Sequence, residues 1–269
     1  MDVVVDAYRD CVESTKEIDL AIEDLIENDC VVYLKRSNSY LKIKESSGVN
    51  IQDEIAKDKA QRLASTKPTD ILNDSAFDSF MYPTAYNDEN DIIRYFDFKF
   101  MDSRVFWSVS DWDKVIADSK ADGSIFAIVP ERQEEIPKLR QAILTDKTPH
   151  TRIVFILPKH YTDIAKDALD FSTVTYLKKR ALDLDDEILN DEYAIRVEDL
   201  SEVIGSFING YARPESGNAF YYYNGSEHIF RLKAQLSSLL SEICKRVFFR
   251  TPIINNESVN KNELTTNTI

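Results

Sequence analysis

Glycine is scarce in this sequence, with six among 269 residues, and none of the six lies in a phosphate-binding pattern. The dinucleotide pattern GxGxxG and the P-loop pattern GxxxxGK[S/T] both require glycines, because backbone N–H groups must approach the phosphate oxygens closely. Neither pattern occurs in the chain. We therefore expect no nucleotide cofactor and no ATP hydrolysis through a P-loop of this chain.

Cysteine and histidine are equally scarce, with three of each. The cysteines are far apart and form no CxxC pair, and no histidine lies at ligand spacing from another histidine or a cysteine. This pattern argues against a zinc site and against a disulfide framework, and it is typical of reduced thiols in a cytosolic protein. We expect no metal. The residues are Cys11, Cys30, Cys244, His150, His160 and His228.

The sequence has no apolar run near the roughly 20 residues that a membrane span needs, and no basic-then-apolar leader. It is also poor in positive charge, with 33 Lys and Arg against 47 Asp and Glu, a net charge of −14. Such a charge repels phosphate backbones, so nucleic-acid binding would need a locally basic surface. We expect a soluble, cytoplasmic protein without membrane partners.

Two continuous apolar runs form the centre of the predicted fold, residues 124–130 and 152–158. Continuous rather than alternating runs are typical of strands buried on both faces. Each run ends at a proline, Pro130 or Pro158, which lacks the N–H that a central strand needs. A helical pattern over residues 131–147 separates them, so a right-handed crossover would make the two strands parallel.

Two further strands extend this unit in the prediction. Residues 93–101 alternate cleanly, with Phe96, Phe98 and Phe100 on one side, which indicates a half-exposed strand near a sheet edge. Residues 174–177 predict a third parallel strand after a helix at 161–169. The expected architecture is therefore α/β, with a small mostly parallel sheet flanked by helices.

The region after residue 177 is predicted to be helical and acidic up to residue 213, followed by a hairpin and a closing helix at 232–249. Residues 219–223 and 228–230 flank Asn224-Gly225, a strong hairpin signal because both turn residues tolerate positive φ. Tyr221, Tyr222 and Tyr223 would allow base stacking. Ordinary packing is the alternative, because neighbours on a strand point to opposite faces.

The N-terminal region has the element order of a winged helix: helices at 3–11 and 15–27, then strands at 30–35 and 40–44. The second helix carries five acids against one lysine, so its use as a DNA-recognition helix would be repulsive. The hairpin instead carries four cations and no acid. One interpretation is a basic wing that contacts DNA. The other is a solvated edge strand whose lysines prevent pairing with a strand of another chain. The four cations are Lys35, Arg36, Lys42 and Lys44.

Composition predicts four regions. These are a winged-helix-like domain at 1–65, a linker at 66–92 rich in Pro, Asn and Asp, an α/β domain at 93–250 and a C-terminal tail at 251–269. Within the linker, Asp88, Glu89 and Asp91 lack the donor spacing and glycine of a calcium loop. We interpret these acids as helix caps and solvated charges.

Two pairs of ionisable residues follow the central strands: Glu131 and Arg132 after the first, and Lys159 and His160 after the second. Parallel neighbours would bring all four to one edge, where α/β sheets place their sites. A carboxylate beside His160 would allow acid–base chemistry. One hypothesis is therefore a degenerate nuclease or hydrolase that uses Glu131, Lys159 and His160. Helix capping is the alternative.

Residues 250–265 resemble a segment of the large P-loop ATPases of bacteriophage-exclusion (BREX) systems, of the BrxC and PglY type. The stretch reads RTPIINNESVNKNELT, and Ser258 stands where the family segment has leucine. Residues 82–89, with the strand at 96–101, are similar to a region after the ATPase core of those proteins. The winged-helix-like start also fits a position just beyond such a core.

The resemblance implies that this chain is an internal piece, or a separately made module, of a defence-associated ATPase, outside its nucleotide-binding core. The implied role is a non-catalytic interaction or regulatory module that couples the ATPase to protein partners or to DNA. Expected partners are other protein domains or subunits of the defence system, since the net charge disfavours DNA. The hydrolase hypothesis and a DNA-binding module that uses the basic wing are the two alternatives.

Overall fold

The computed structural model describes residues 15–27, 31–35, 40–43, 50–63, 66–75, 79–117, 119–145 and 150–251. Within these residues the chain forms ten α-helices, a two-stranded hairpin and a six-stranded sheet. The α/β class expected from the sequence is confirmed. The chain divides into two compact units, residues 1–67 with 165–204, and residues 68–164 with 205–269. We call these the N-terminal unit and the sheet unit.

The helices and strands have the following bounds. The helices are α1 (Thr15–Glu27), α2 (Ile51–Arg62), α3 (Pro68–Asp74), α4 (Thr84–Asn90), α5 (Ser103–Ser108), α6 (Trp112–Ala117), α7 (Ile136–Thr145), α8 (Ala165–Asp183), α9 (Glu187–Ala212) and α10 (Lys233–Val247). The strands are β1 (Val31–Lys35), β2 (Tyr40–Ile43), β3 (Phe80–Met81), β4 (Phe96–Asp102), β5 (Gly123–Val129), β6 (Ile153–Pro158), β7 (Ala219–Tyr223) and β8 (Ser226–His228). Short 3₁₀ helices cover Gln133–Glu135 and Pro214–Ser216.

The N-terminal unit contains a helix followed by an antiparallel hairpin, as the sequence predicts. In the hairpin, β1 pairs with β2 so that Val31 lies opposite Ile43 and Tyr33 opposite Leu41. In α1, Ile18 and Ile22 are buried one turn apart, which fits its predicted apolar stripe. The predicted helix at 3–11 lies outside the described residues. The winged-helix assignment therefore stays a prediction.

Three helices, α2, α8 and α9, enclose the core of the N-terminal unit. Helix α2 begins where Asn50 caps it, with the Asn50 side chain accepting from the N–H groups of Gln52 and Asp53. Ile51 then enters the core beside Leu177 of α8. The buried members of this cluster are Ile51, Val174, Leu177, Ala181, Leu189 and Tyr193.

The predicted strand at 174–177 is wrong, because these residues lie in the middle of α8. Val174 and Thr175 favour strands locally. However, the buried side chains of the segment, from Ala168 to Ala181, recur at helical spacing over nearly four turns. Tertiary burial of this stripe overrides the local preference. The buried side chains of α8 are Ala168, Leu169, Thr173, Val174, Leu177 and Ala181.

The sheet unit is built on a six-stranded sheet in the order β3-β4-β5-β6-β7-β8. Strands β4, β5 and β6 are parallel, and the crossover from β5 to β6 contains α7, as predicted. The other three pairings are antiparallel. The sheet is therefore mixed, and the expectation of a mostly parallel sheet is wrong.

Strand β7 lies beside β6 and pairs with it antiparallel, in place of the third parallel strand predicted at residues 174–177. In it Tyr221, Tyr222 and Tyr223 are all at most 6% exposed. Three consecutive buried side chains require cover on both faces, so this strand belongs inside the sheet rather than at an edge. The turn after it is the predicted one, since Asn224 and Gly225 both have positive φ.

One face of the sheet packs under helices α5, α6 and α7. Phe126, Phe155 and Tyr222 are register neighbours across β5, β6 and β7 and lie in one cluster. Trp112 of α6 covers Phe155, with ring centroids 4.9 Å apart at 73°. Leu139 of α7 completes this layer. Edge-to-face aromatic packing therefore makes up much of this half of the core.

The opposite face packs against the C-terminal turns of α9, which belong to the sheet unit. Phe100 of β4 meets Tyr211 edge to face, with centroids 5.4 Å apart. The Tyr221 hydroxyl donates to the Tyr211 carbonyl at 3.0 Å. Burial raises the pKa of both tyrosines. The tyrosines of β7 are thus core residues, with both faces of the strand covered.

The bounds of the two compact units differ from the four regions that the sequence predicts. Residues 66–92, expected to form a linker, contain α3, β3 and α4. Leu72, Met81 and Tyr86 of these elements are at most 5% exposed. Residues 165–204, expected within the α/β domain, belong to the N-terminal unit. Pro68 and Pro83 lie at the starts of α3 and α4, and Asp74 and Asn90 lie at their ends.

Candidate functional site

Three strands end together at one edge of the sheet. Because β4, β5 and β6 are parallel, their C-terminal ends share that edge, the usual place for a site in α/β proteins. The residues that follow the strands there are 103–104, 131–135 and 159–161, which we call the carboxyl edge. The sequence predicted this placement for residues 131–132 and 159–160, and residues 103–104 join them at the end of β4.

Glu131 is placed next to an arginine from β4's end. Arg104 Nε lies 2.6 Å from Glu131 Oε1 and 3.3 Å from Asp102 Oδ1. The hydrogen bond to Asp102 and the charges of Asp102 and Glu131 raise the pKa of Arg104. The Arg104 side chain is 75% exposed, so these are surface ion pairs of small energetic effect.

Glu135 joins the ends of β4 and β5, a role that the sequence analysis missed. Its Oε2 accepts from Ser103 Oγ and from the Glu131 N–H, both at 2.9 Å. Arg132 Nε lies 3.8 Å from its Oε1. The Glu131 N–H lies four residues before Glu135, one position beyond the i, i+3 spacing of a capping box, so no capping-box pattern marks this contact in the sequence.

Lys159 and His160 follow β6 on the side of β7. The Lys159 N–H donates to the Asn218 carbonyl at 2.8 Å, and Lys159 Nζ lies 5.0 Å from the centre of the Phe220 ring. His160 is exposed. The structure therefore places Glu131 against Arg104 and Lys159 against Phe220, whereas the hydrolase hypothesis requires Glu131, Lys159 and His160 to act on one atom.

Tyr161 ties the loop after β6 to the segment after β5. Its N–H donates to Gln133 Oε1 at 2.7 Å. Burial, with the charges of Asp163, Glu131 and Glu135, raises the pKa of Tyr161. The nearby negative charges therefore make release of the Tyr161 hydroxyl proton less favourable.

The basic wing is described only through its backbone. Lys35 pairs in register with Tyr40, and Lys42 pairs with Val32. Arg36 and Lys44 lie outside the described residues. Among the described residues, no three His, Cys, Asp or Glu side chains come together to hold a metal ion. In the same part of the chain, no helix has both the length and the apolar character for crossing a membrane.

A second feature, which the sequence did not predict, is a cavity of about 610 Å³ beside β3. It lies between α4 and α10, whose residues are about 150 positions apart in the chain, so no local pattern could indicate it. We call this cavity the groove. Its lining residues are Phe80, Met81, Tyr82, Thr84, Ala85, Asp88, Lys233, Ala234, Leu236, Ser237, Ser238 and Leu240.

Serine hydroxyls of α10 hold the walls of the groove together. Ser237 Oγ donates to the Tyr82 carbonyl at 2.7 Å and accepts from the Thr84 N–H at 3.2 Å. Ser241 Oγ accepts from the Tyr86 N–H at 3.4 Å. The two serines lie one turn apart on α10 and so face α4 together.

Two aromatic side chains stand at the groove with large exposed areas. Phe80 is 42% and Tyr82 is 46% exposed. Phe80 meets Tyr95 edge to face at 5.1 Å, which fixes its ring. Strand β3, which carries Phe80, is the last strand at its end of the sheet order in the described part of the chain. The groove is therefore an apolar surface at a sheet edge.

Comparison of the chain with protein families, with curated proteins and with solved structures finds no match.

Proposed function

We propose that this chain is a non-catalytic protein-interaction module of a defence-associated P-loop ATPase, acting in the cytoplasm, and that its groove binds an apolar segment of a partner protein. The likeness of residues 250–265 to the BREX ATPases supports the family role. The groove supports the interaction role independently of that likeness.

The observation that carries the proposal is the apolar chemistry of the groove. Its volume of about 610 Å³ lies within the roughly 300–1,000 Å³ of ligand-binding sites. Met81, Leu236 and Leu240 form its floor, and they are buried. Phe80 and Tyr82 stay exposed at its mouth. Exposed aromatic side chains around an apolar depression are typical of protein-binding surfaces.

The groove is also organised in advance of binding. Its two walls are joined by the Ser237 and Ser241 hydrogen bonds and by an exposed ion pair, Lys245 Nζ to Glu89 Oε2 at 2.6 Å. A preformed site loses little conformational entropy when it binds, which favours affinity. The partner segment would place apolar side chains against the floor and leave its backbone near the sheet edge.

The test selects peptides from a displayed random library on the whole chain and measures their dissociation constants by fluorescence anisotropy. Ala234 is exposed and lines the groove. Ala234→Arg should therefore weaken binding by at least about tenfold, because a long charged side chain would enter the groove. Ala56→Arg makes the same change at an exposed position of α2 and should bind like the wild type.

Enriched peptides with apolar residues and sensitivity to Ala234→Arg alone would support the proposal. Failure to enrich any peptide would contradict it. Equal binding by the wild type and Ala234→Arg would contradict it too. Circular dichroism of both variants shows whether each keeps the fold.

A second candidate function is the degenerate nuclease or hydrolase, favoured by the shared edge of β4, β5 and β6. Cleavage of duplex DNA or of a generic phosphodiester with Mg²⁺ would be measured for the wild type, His160→Ala and Glu131→Gln. Activity that both substitutions abolish would establish this function. On the interaction proposal, neither substitution changes peptide binding in the groove.

A further inference from the structure

A second exposed apolar surface lies in the N-terminal unit, where α8 ends and α9 begins. Leu182, Leu184 and Ile188 are 64%, 68% and 39% exposed. These three exposed apolar side chains lie within seven residues of one another. We treat them as one apolar surface patch rather than as isolated exposed residues. We call residues 182–192 the acidic tip, for the charges described below.

The backbone of the acidic tip is a tight, hydrogen-bonded turn. The N–H groups of Leu184 and Asp186 both donate to the Ala181 carbonyl, at 3.2 and 3.0 Å. Asp185 takes a left-handed conformation with φ of 61°. Asp186 Oδ1 then accepts from the Leu189 N–H at 3.0 Å and caps α9. The exposed leucines are therefore presented by an ordered turn.

In the described part of the chain, the buried cluster of the N-terminal unit is formed by other side chains. Ala181 and Leu189, which flank the turn, supply the buried contacts, together with Tyr193. Tyr193 donates its hydroxyl hydrogen bond to Glu54 Oε2 at 2.5 Å, and burial raises the pKa of this tyrosine. The residues that secure α8 against α9 are thus distinct from the exposed ones. Among the described residues of the N-terminal unit, the buried cluster does not include Leu182 or Leu184, so its packing does not explain why they are apolar.

Acids outnumber cations around the patch. Six acids lie between positions 182 and 192, and the nearest cations in the chain are Lys178, Lys179 and Arg180 before the tip and Arg196 after it. Arg180 is paired with Glu54, its Nη1 lying 3.4 Å from Oε1. One of the six, Asp186, caps α9, whereas Asp183, Asp185 and Glu187 are exposed beside the leucines. The six are Asp183, Asp185, Asp186, Glu187, Asp191 and Glu192.

We infer that the acidic tip docks a basic amphipathic segment of a partner protein. Charge complementarity selects this occupant. A second copy of the chain carries the same net charge of −14 and would be repelled. Nucleic acid and anionic lipid surfaces are repelled for the same reason. A segment with lysine or arginine beside leucine-like residues satisfies both the apolar patch and the acids around it.

This inference goes beyond the proposed role of the groove. The acidic tip lies in the other unit, is formed by other helices, and selects its partner by charge as well as by apolar contact. Either surface can therefore fail its test while the other succeeds.

The probe is a fluorescein-labelled helical peptide of about four turns, with leucine at i, i+3, i+4 spacing and lysine elsewhere. Its dissociation constant for the whole chain is measured by anisotropy at low and moderate salt. The first variant is Leu182→Ser with Leu184→Ser. Its control is Leu20→Ser with Leu63→Ser, two leucines of the same exposure, 64% and 68%, in the same unit.

The second variant removes charge, through Asp183→Asn, Asp185→Asn and Glu187→Gln. Asparagine tolerates the left-handed conformation of position 185, so the turn is kept. Its control removes three exposed acids elsewhere, through Asp74→Asn, Asp113→Asn and Glu202→Gln. A matched peptide with serine in place of leucine tests the apolar contribution from the side of the probe.

We expect each tip variant to weaken binding by about tenfold and each control variant to stay within about twofold of the wild type. Equal weakening by tip and control variants would show general attraction to an acidic protein and would overturn the inference. Loss with the charge variant but not with the leucine variant would also overturn it. Binding to neutral phosphatidylcholine vesicles through the two leucines, without peptide binding, would assign the patch to lipid instead.

Discussion

The hydroxyl oxygen of Ser237 accepts a hydrogen bond from the backbone N–H of Thr84 at 3.2 Å, although the two residues lie 153 positions apart. Helix α4 starts after Pro83, which has no side-chain acceptor for the first N–H groups of the helix. Ser237 and, one turn later, Ser241 supply those acceptors from α10. The cap of α4 is therefore a tertiary contact, and it also builds the groove.

Removing both serine hydroxyls should destabilise the fold. The double substitution Ser237→Ala and Ser241→Ala leaves two N–H groups of α4 without their acceptors. Since one lost N-cap acceptor costs about 0.5–2 kcal/mol, we expect a loss of roughly 1–3 kcal/mol in the free energy of unfolding. Urea denaturation followed by circular dichroism measures it. Ser238→Ala is the control, because the Ser238 hydroxyl bonds only the Ala234 carbonyl of its own helix among the contacts of the described residues; an equal loss in that variant would contradict the capping role.

The buried hydroxyl of Tyr221 should contribute measurably to stability. It donates to the Tyr211 carbonyl at 3.0 Å, and both side chains are at most 4% exposed. Tyr221→Phe keeps the ring and removes the bond, so we expect a loss of about 0.5–1.5 kcal/mol. Denaturant unfolding is again the measurement. Tyr176→Phe, at an exposed position of α8, should cost much less, and a Tyr221→Phe protein as stable as the wild type would show that the bond contributes nothing.

The buried thiol of Cys244 should make the fold less stable in alkali. Burial, with the nearby charge of Asp122 opposed by that of Arg94, raises the pKa of Cys244 to about 12. In the unfolded chain a cysteine titrates near about 8.5. Between these values the unfolded chain has released a proton that the folded chain keeps, so the free energy of unfolding falls as the pH rises.

We therefore expect the stability lost between pH ~7.5 and pH ~10 to be smaller in Cys244→Ala than in the wild type. Urea unfolding at the two pH values gives this difference. Ile243→Val is the control, because it removes a buried methyl group next to Cys244 without changing any titrating group. It should lower stability equally at both pH values. An unchanged pH dependence in Cys244→Ala would contradict the prediction.

The basic wing should not make this chain a DNA-binding protein at physiological salt. The net charge of −14 opposes binding to a phosphate backbone. We expect no salt-sensitive change in the anisotropy of labelled duplex DNA at about 0.15 M salt. The alternative predicts binding that is lost when Lys35, Arg36, Lys42 and Lys44 become alanine. It also predicts that binding survives when the exposed cations Lys57, Lys120, Lys138 and Arg231 are replaced instead.

Several elements could be predicted because their signals are local. The continuous apolar runs predicted β5 and β6, because a strand buried on both faces is apolar at consecutive positions. The helical spacing of apolar residues between them predicted α7. Asn224-Gly225 gave the β7–β8 turn, because few other residue pairs tolerate its backbone angles. The shared edge of residues 131–132 and 159–160 followed from the parallel pairing of those runs, whereas the end of β4 at the same edge did not.

Residues 174–177 show where local reasoning failed. Val174 and Thr175 prefer strands, and only the long buried stripe of α8 makes them helical. Tyr221 to Tyr223 were correctly assigned to a strand. The sequence does not show that this strand pairs with β6 and β8, because the strand order is set by tertiary packing. Glu135 was missed because Ser103, to which it bonds at the end of β4, lies 32 positions away in the chain, and its bond to the Glu131 N–H does not follow the capping-box spacing.

The sequence by itself determined the α/β class, the central strand pair with its crossover helix, and an acidic chain without a phosphate loop, because composition and short-range periodicity record burial and backbone preference directly. The tertiary structure alone decided the mixed direction of the sheet, the division into units, the groove and the cap that Ser237 gives to Thr84. Those features join residues up to 153 positions apart. A contact between distant residues does not change the local periodicity of either segment, so sequence patterns cannot predict it.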